Sequence, residues 1–253
     1  GRSGRRDRCR VLVLAFLTAC SADGGETLDL GRAVVAAPDD HPVVATAGRM
    51  FREEIAKRTG ITLEAVSGQP GDSGPVVVLC RQERIPAALH DLAAGLTVPE
   101  GAEGFAIAVH ANATPPAVLL VGRDERGVLF AAGRLLLQLR MAPGKIEVAS
   151  DYRVATAPRY PYRGHQIGYR GLSHCYDAWT PEVYEQYMRE LAVFGANGFE
   201  TTSFGDPDEK DGPHAKGTKG EMAAAWSRIC ADYGYDFWLF TGASGGTGRQ
   251  DEH

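Results

Sequence analysis

The sequence lacks the usual markers of several function classes, and each absence narrows the reading. There is no basic excess: 27 Lys and Arg stand against 32 Asp and Glu, a net charge of −5. A surface that tracks nucleic-acid phosphates is therefore not expected. None of the five cysteines forms a Cys-x-x-Cys pair. Beyond the N-terminal segment Cys80, Cys175 and Cys230 are odd in number, and Cys80 and Cys230 sit in apolar stretches, which supports neither a zinc site nor a disulfide framework. His165, His174, Cys175 and Asp177 have the composition of a metal site but not the HxxxH or HxH spacing that puts two ligands on one face, so no metal is expected. The loop Gly122-Arg123-Asp124-Glu125-Arg126-Gly127 follows a strand and opens a helix, yet lacks GxGxxG and a Gly-Lys-Ser/Thr ending. No dinucleotide or other cofactor is expected, and the loop reads as a tight strand-to-helix turn.

Apart from one segment, the chain has the composition of a globular protein. Arg5, Arg6, Arg8 and Arg10 precede the apolar run 11–17, which ends in small residues. That run is too short to span as a mature helix and has the form of a signal peptide. Leu17-Thr18-Ala19-Cys20 resembles the bacterial lipobox, in which the cysteine thiol is acylated and becomes the new N-terminus after cleavage. Cys20 is then a lipid anchor and the membrane a partner, with an expected location in the cell envelope, at the outer membrane or in the periplasm. A plain secretory signal cut near Ala19 keeps the export and drops the lipid. The chain starts at Gly1 and not Met, so its true start is expected to lie upstream.

Past a linker over 21–30, periodicity predicts alternating strands and helices. Residues 32–37 read as a buried strand, and Val44, Ala47, Phe51 and Ile55 recur at helical spacing up to a stop at Gly60. Strands follow at 61–66 and 76–79, a short helix at 86–94, and strands at 104–110 and 117–121. Asp124 caps a helix carrying Val128, Leu129, Ala132, Leu135, Leu136 and Leu139, and a strand at 145–148 closes the unit. This gives a small α/β sandwich over 31–150, with helices packed on a sheet. A linker at 151–163, punctuated by Pro158 and Pro161, leads to a second pattern over 164–253. It has strands at 164–169, 198–202 and 235–240, and helices opened by Thr180-Pro181 and spanning 219–233. Strand, helix, strand, helix, strand is the opening of a (β/α)8 TIM barrel, incomplete after its first three units.

In such a barrel the working residues lie at the C-terminal ends of the strands and in the loops that follow. That rule, with the residue just before the first strand, selects Arg163, His165, Tyr169, Arg170, Glu200 and Trp238, and adds Ser203, Phe240 and the loop residues His174, Tyr176, Asp177 and Trp179. The set suits a sugar: aromatic faces stack on pyranose rings, while Arg, His and carboxylates bond hydroxyls. Glycosidases usually need two carboxylates flanking the scissile bond, while some hexosaminidases use the substrate's own acetamido group with a neighbouring carboxylate orienting it, and no convincing pair of either kind is present. The catalytic acids are therefore expected downstream of His253, and the chain by itself is expected to be inactive.

A family resemblance agrees. Val121-Gly122-Arg123-Asp124-Glu125-Arg126-Gly127-Val128-Leu129-Phe130-Ala131-Ala132-Gly133-Arg134-Leu135-Leu136 resembles the last strand–helix unit of the non-catalytic domain that precedes the barrel in α-glucuronidases and β-N-acetylhexosaminidases. Pro158-Arg159-Tyr160-Pro161-Tyr162-Arg163-Gly164 resembles the entry into the family 20 hexosaminidase barrel, which implies a sugar contact for Arg163. Asp177-Ala178-Trp179-Thr180-Pro181 and Phe194-Gly195-Ala196-Asn197-Gly198-Phe199-Glu200 resemble the barrel opening of α-glucuronidase-like proteins. Where the hexosaminidase pattern has an acid and an arginine at the strand end, this chain reads His165-Gln166-Ile167-Gly168-Tyr169-Arg170, and only Arg170 fits. The resemblance implies an α-glucuronidase-like glycoside hydrolase acting on uronic-acid-bearing or amino-sugar glycans. A glycan-binding lipoprotein without catalysis is the alternative.

Overall fold

The computed structural model describes residues 25–66, 74–167, 178–201, 206–210 and 212–239. The signal segment with Cys20, and Tyr169, Arg170, His174, Cys175, Tyr176, Asp177, Ser203 and Phe240, lie outside them.

The expected helices form where their end signals stand. Helix α1 (Pro42–Thr59) begins behind His41, whose ring accepts from the Val43 amide at 3.3 Å, and stops at Gly60, φ 73°, a left-handed turn that glycine adopts without steric penalty. A single helical turn, α2 (His90–Ala93), follows later in the chain. Helix α3 (Glu125–Leu136) is capped by Asp124, which accepts from the Gly127 amide at 2.8 Å. Helix α4 (Pro181–Val193) opens with proline in its first turn. Helix α5 (Lys219–Tyr233) opens on a reciprocal capping box between Thr218 and Glu221 and closes at the left-handed Gly234.

Among the described residues the strands form three sheets. A six-stranded sheet is built from β2 (Val34–Ala36), β3 (Glu64–Val66), β4 (Val76–Arg81), β5 (Phe105–His110), β6 (Ala117–Gly122) and β9 (Arg153–Thr156), in the order β3-β2-β4-β6-β5-β9. Strands β3, β2, β4 and β6 run parallel, while β5 and β9 are antiparallel to their neighbours. A small antiparallel sheet holds β1 (Thr27–Asp29), β7 (Arg140–Ala142) and β8 (Lys145–Ala149). The third sheet is parallel, β10 (Gly164–Gln166), β11 (Gly198–Glu200) and β12 (Asp236–Trp238). Two expectations are corrected here. Residues 153–156, read as linker because of the nearby prolines, pair with β5 and complete the large sheet; residues 27–29, also read as linker, pair with β8.

The large sheet is covered on both faces. Val35, Val77, Leu79, Ile107, Val118 and Leu120 pack toward α1 and α3, whereas Ala36, Val76, Val78, Ala106, Leu119 and Val121 lie under Ile85, Leu89, Leu92, Leu96 and Val98. Burial on both sides explains why β4, β5 and β6 read as unbroken apolar runs rather than alternating ones. Helices α1 and α3 contact α4 and α5 on their other side. At Gly133 of α3 an added Cβ would lie 2.7 Å from Val193 Cα, so the missing side chain sets how closely α3 meets the end of α4. A single apolar core consequently runs from Val77 and Phe51 through Leu129 to Tyr184, Met188, Phe199, Trp226 and Tyr233. The two parts divided by sequence pattern share one interior.

Candidate functional site

In a strand successive side chains alternate between faces, and register partners share a face. Gly164, Gly198 and Asp236 are register partners, as are His165, Phe199 and Phe237, and as are Gln166, Glu200 and Trp238. Phe199 is fully buried against the helices, and Ile167, two residues after His165, is fully buried in the same core. The opposite face therefore carries Gln166, Glu200 and Trp238 in one row at the C-terminal ends of three parallel strands. Gln166 donates from Nε2 to Glu200 Oε2 at 2.9 Å, and Trp238 is 57 % exposed. With Tyr162, and with Gly164 and Gly198 nearer the strand starts, they line a hollow of about 300 Å³.

Two of the candidate ligands selected from sequence, Glu200 and Trp238, are thus brought together, and Gln166, which the sequence reading passed over, joins them. Two others go elsewhere. His165 points to the helices: its Nε2 hydrogen-bonds the Tyr187 hydroxyl of α4 at 2.5 Å, with the rings edge to face. Burial lowers its pKa, which favours the neutral ring. Its ring docks α4 on β10, although the residue also borders the hollow. Arg163 is also occupied. Its Nε donates to the Gly195 carbonyl at 2.6 Å, one terminal nitrogen to the Tyr160 carbonyl at 2.7 Å and the other to Glu103, while the guanidinium sits 5.2 Å from the centre of the Phe130 ring. These contacts hold Arg163 against the small domain and the start of β11. Trp179 packs edge to face on Tyr184 and Tyr187.

Chemically, the row presents a carboxylate held by an amide donor beside an indole face. That combination can bond sugar hydroxyls and stack on an apolar ring face. Asp236, the other carboxylate on this face, sits at the N-terminal end of β12 and binds Arg126 at 2.6 Å, so it does not pair with Glu200 across a scissile bond. Among the described residues no group of three or more His, Cys, Asp or Glu is placed to hold a metal ion.

The opposite, N-terminal ends of these strands meet the small domain in a polar junction that sequence alone did not reveal. Glu103, which precedes β5 at φ 61°, is 7 % exposed and accepts from Asn197 Nδ2 at 2.9 Å and from Arg126 at 3.2 Å as well as from Arg163. A second buried ionic group joins α1, α4 and α5. Arg189, 5 % exposed, donates to the Tyr233 hydroxyl at 2.9 Å and pairs with Glu53 at 2.7 Å, Glu54 at 3.3 Å and Glu185 at 3.3 Å. Burial works against the Glu54 carboxylate, but bonds from Arg58, Lys57 and Gln186 outweigh it and hold its pKa down to about 2.

No family model matches the sequence, and no curated protein matches it. Solved structures do. The GH20 β-N-acetylhexosaminidase from Streptomyces coelicolor A3(2) superposes with a TM-score of 0.59 at 17% identity, over 85% of this chain and 43% of that one. A family GH115 4-O-methyl-α-glucuronidase with specificity for decorated arabinogalactans gives 0.56 at 17% identity, over 83% and 29%. The GH20 exo-β-N-acetylglucosaminidase from Vibrio harveyi gives 0.55 at 14% identity, over 86% and 34%. The chain spans less than half the length of each. At these identities the likeness is one of fold: an α/β sandwich followed by the opening of a TIM barrel, the arrangement found in these glycoside hydrolases.

Proposed function

We propose that this chain is the leading part of an exported glycoside hydrolase, α-glucuronidase-like in domain order, acting on uronic-acid-bearing or amino-sugar glycans and anchored to the cell envelope through lipid on Cys20. The observation that carries the reading is the row Gln166, Glu200 and Trp238, in register at the C-terminal ends of three parallel strands. That is the end of a barrel where catalytic and binding side chains collect. In this reading Glu200 and Gln166 bond sugar hydroxyls, Trp238 stacks on the ring, and Tyr169 and Arg170, which follow β10 in sequence, are further sugar ligands. The acid pair comes from later strands.

The full-length protein should hydrolyse aryl glucuronides or aryl N-acetylglucosaminides, and turnover should fall with Trp238→Ala. Hydrolysis of neither, with glycan binding retained, moves the protein to the non-catalytic reading. Metabolic labelling with an alkyne fatty acid should mark the exported protein and lose its signal in Cys20→Ser.

A further inference from the structure

The polar junction below the strands suggests more than a hydrophobic seam with a few salt bridges. Asn197, 2 % exposed, immediately precedes β11 and touches all three strand starts. Its Oδ1 accepts from the Arg163 amide at 2.8 Å and its Nδ2 donates to the Pro161 carbonyl at 2.6 Å, both just before β10. Its backbone carbonyl accepts from the Asp236 amide at 2.9 Å, at the start of β12. From the small domain, Glu103 accepts from Asn197, Arg163 and Arg126, and Arg126 binds Asp236 in turn. One small-domain carboxylate thus reaches the first strand of the parallel sheet through Arg163, the second through Asn197 and the third through Arg126. Glu103 holds this place from a left-handed backbone, which a non-glycine residue adopts only at a conformational cost. Its own amide is fixed by Asp124 Oδ2 at 2.7 Å, on the residue that also caps α3.

We propose that Glu103 and Asn197 form a pin through which the small domain fixes the N-terminal ends of β10, β11 and β12, and that Arg163 is a positioning residue of this pin and not a sugar ligand. The inference does not depend on hydrolysis. The small domain is then a jig for the barrel: it holds the strand starts so that their far ends, with Gln166, Glu200 and Trp238, keep their register.

Hydrogen–deuterium exchange of the whole 253-residue chain, read by mass spectrometry, tests this. Glu103→Gly removes the carboxylate while suiting the left-handed backbone, so the small domain has no reason to unfold. Amides of β10–β12 should exchange at least about tenfold faster, because a buried charged acceptor serving several donors carries stability of that order. Amides of β4, β5 and β6 should be unchanged. Glu103→Gln, which keeps an acceptor of the same shape, should fall between Glu103→Gly and the parent. Arg163→Ala should accelerate the same amides, and the double variant should add little to either single one. Unchanged exchange in β10–β12 overturns the pin. Equal acceleration in both sheets also overturns it, since Glu103 would then support the molecule as a whole. A normal exchange pattern in Arg163→Ala, accompanied by lost glycan binding, returns Arg163 to the sugar.

Discussion

The six-stranded sheet and the three-stranded parallel sheet are built on opposite plans. The first is buried on both faces, and its central strands carry side chains that are almost all apolar. Among the described residues the second packs its His165, Phe199 and Phe237 face toward the helices and carries Gln166, Glu200 and Trp238 on the other. A sheet enclosed on both sides gives stability and has little room for chemistry. One that buries a single face can support reactive side chains on the other, provided something else holds it straight. Here the helices α1, α3, α4 and α5 and the polar junction do so.

The contrast can be broken most sharply in the shared core. Leu120→Ala in the six-stranded sheet and Phe199→Ala in the parallel three-stranded one should each lower unfolding stability by about 3–5 kcal/mol. All three tryptophans, Trp179, Trp226 and Trp238, lie in the second half of the chain. Tryptophan emission therefore reports the barrel strands and their helices, while far-UV circular dichroism reports the whole. Because the core is continuous, Leu120→Ala should move both transitions to the same lower denaturant concentration. Separate midpoints would show that the halves unfold independently. Arg189→Ala, which removes the buried cation shared by Glu53, Glu54 and Glu185 and the donor to the Tyr233 hydroxyl, should cost about 3 kcal/mol and be felt by both probes, since Arg189 ties α4 to α1 and α5.

Next in size is an effect confined to the small domain. Asp39, 4 % exposed, binds Arg81 through Nε at 2.7 Å and through a terminal nitrogen at 2.8 Å. Burial raises its pKa, but the Arg81 side chain and the His41 and Arg81 amides lower it further, to about 2. A carboxyl group whose folded pKa lies below its unfolded value stabilises fully above the unfolded value and loses that contribution as pH falls toward the folded one. Asp39 and Glu54 should together make stability fall between about pH 4.5 and about pH 2. Asp39→Asn should lower stability at neutral pH by about 2 kcal/mol and flatten that acid limb, measured by urea denaturation across the range. Gly133→Ala should cost about 1–2 kcal/mol by forcing α3 away from Val193, a change that thermal unfolding would register. Smallest of all, Trp238→Ala on the open face should change stability by no more than about 0.5 kcal/mol while weakening glycan binding. A large loss of stability would mean that this face is structural.

Much of this architecture was legible locally. Gly60, Asp124, Thr218 with Glu221, and Gly234 end their helices through contacts a few residues long, so the sequence carries the signal directly. Strands β1, β7 and β9 were missed because they have three or four residues and limited burial, and their pairing partners are far off or make a hairpin with no apolar pattern. The direction of His165 was recoverable: Ile167 is the apolar marker of the helix-facing side, and His165 lies two residues earlier on the same side. The roles of Glu103 and Arg163 were not recoverable, since 60 positions separate them and nothing in their neighbours announces a partner.

Asn197 is followed by Gly198, and an asparagine side chain closes most readily onto the next amide when that residue has no side chain to obstruct it. While the pin is shut, the Asn197 amide is committed to Glu103 and Pro161 and the following residue is held in a strand. Each opening lets the Gly198 backbone nitrogen attack the Asn197 side-chain carbonyl carbon with loss of ammonia, and addition of water to the resulting ring leaves an acid facing Glu103, which repels it. Such an event does not reverse. Deamidation at position 197 would therefore accumulate in stored protein as a chemical record of how often the two halves have come apart.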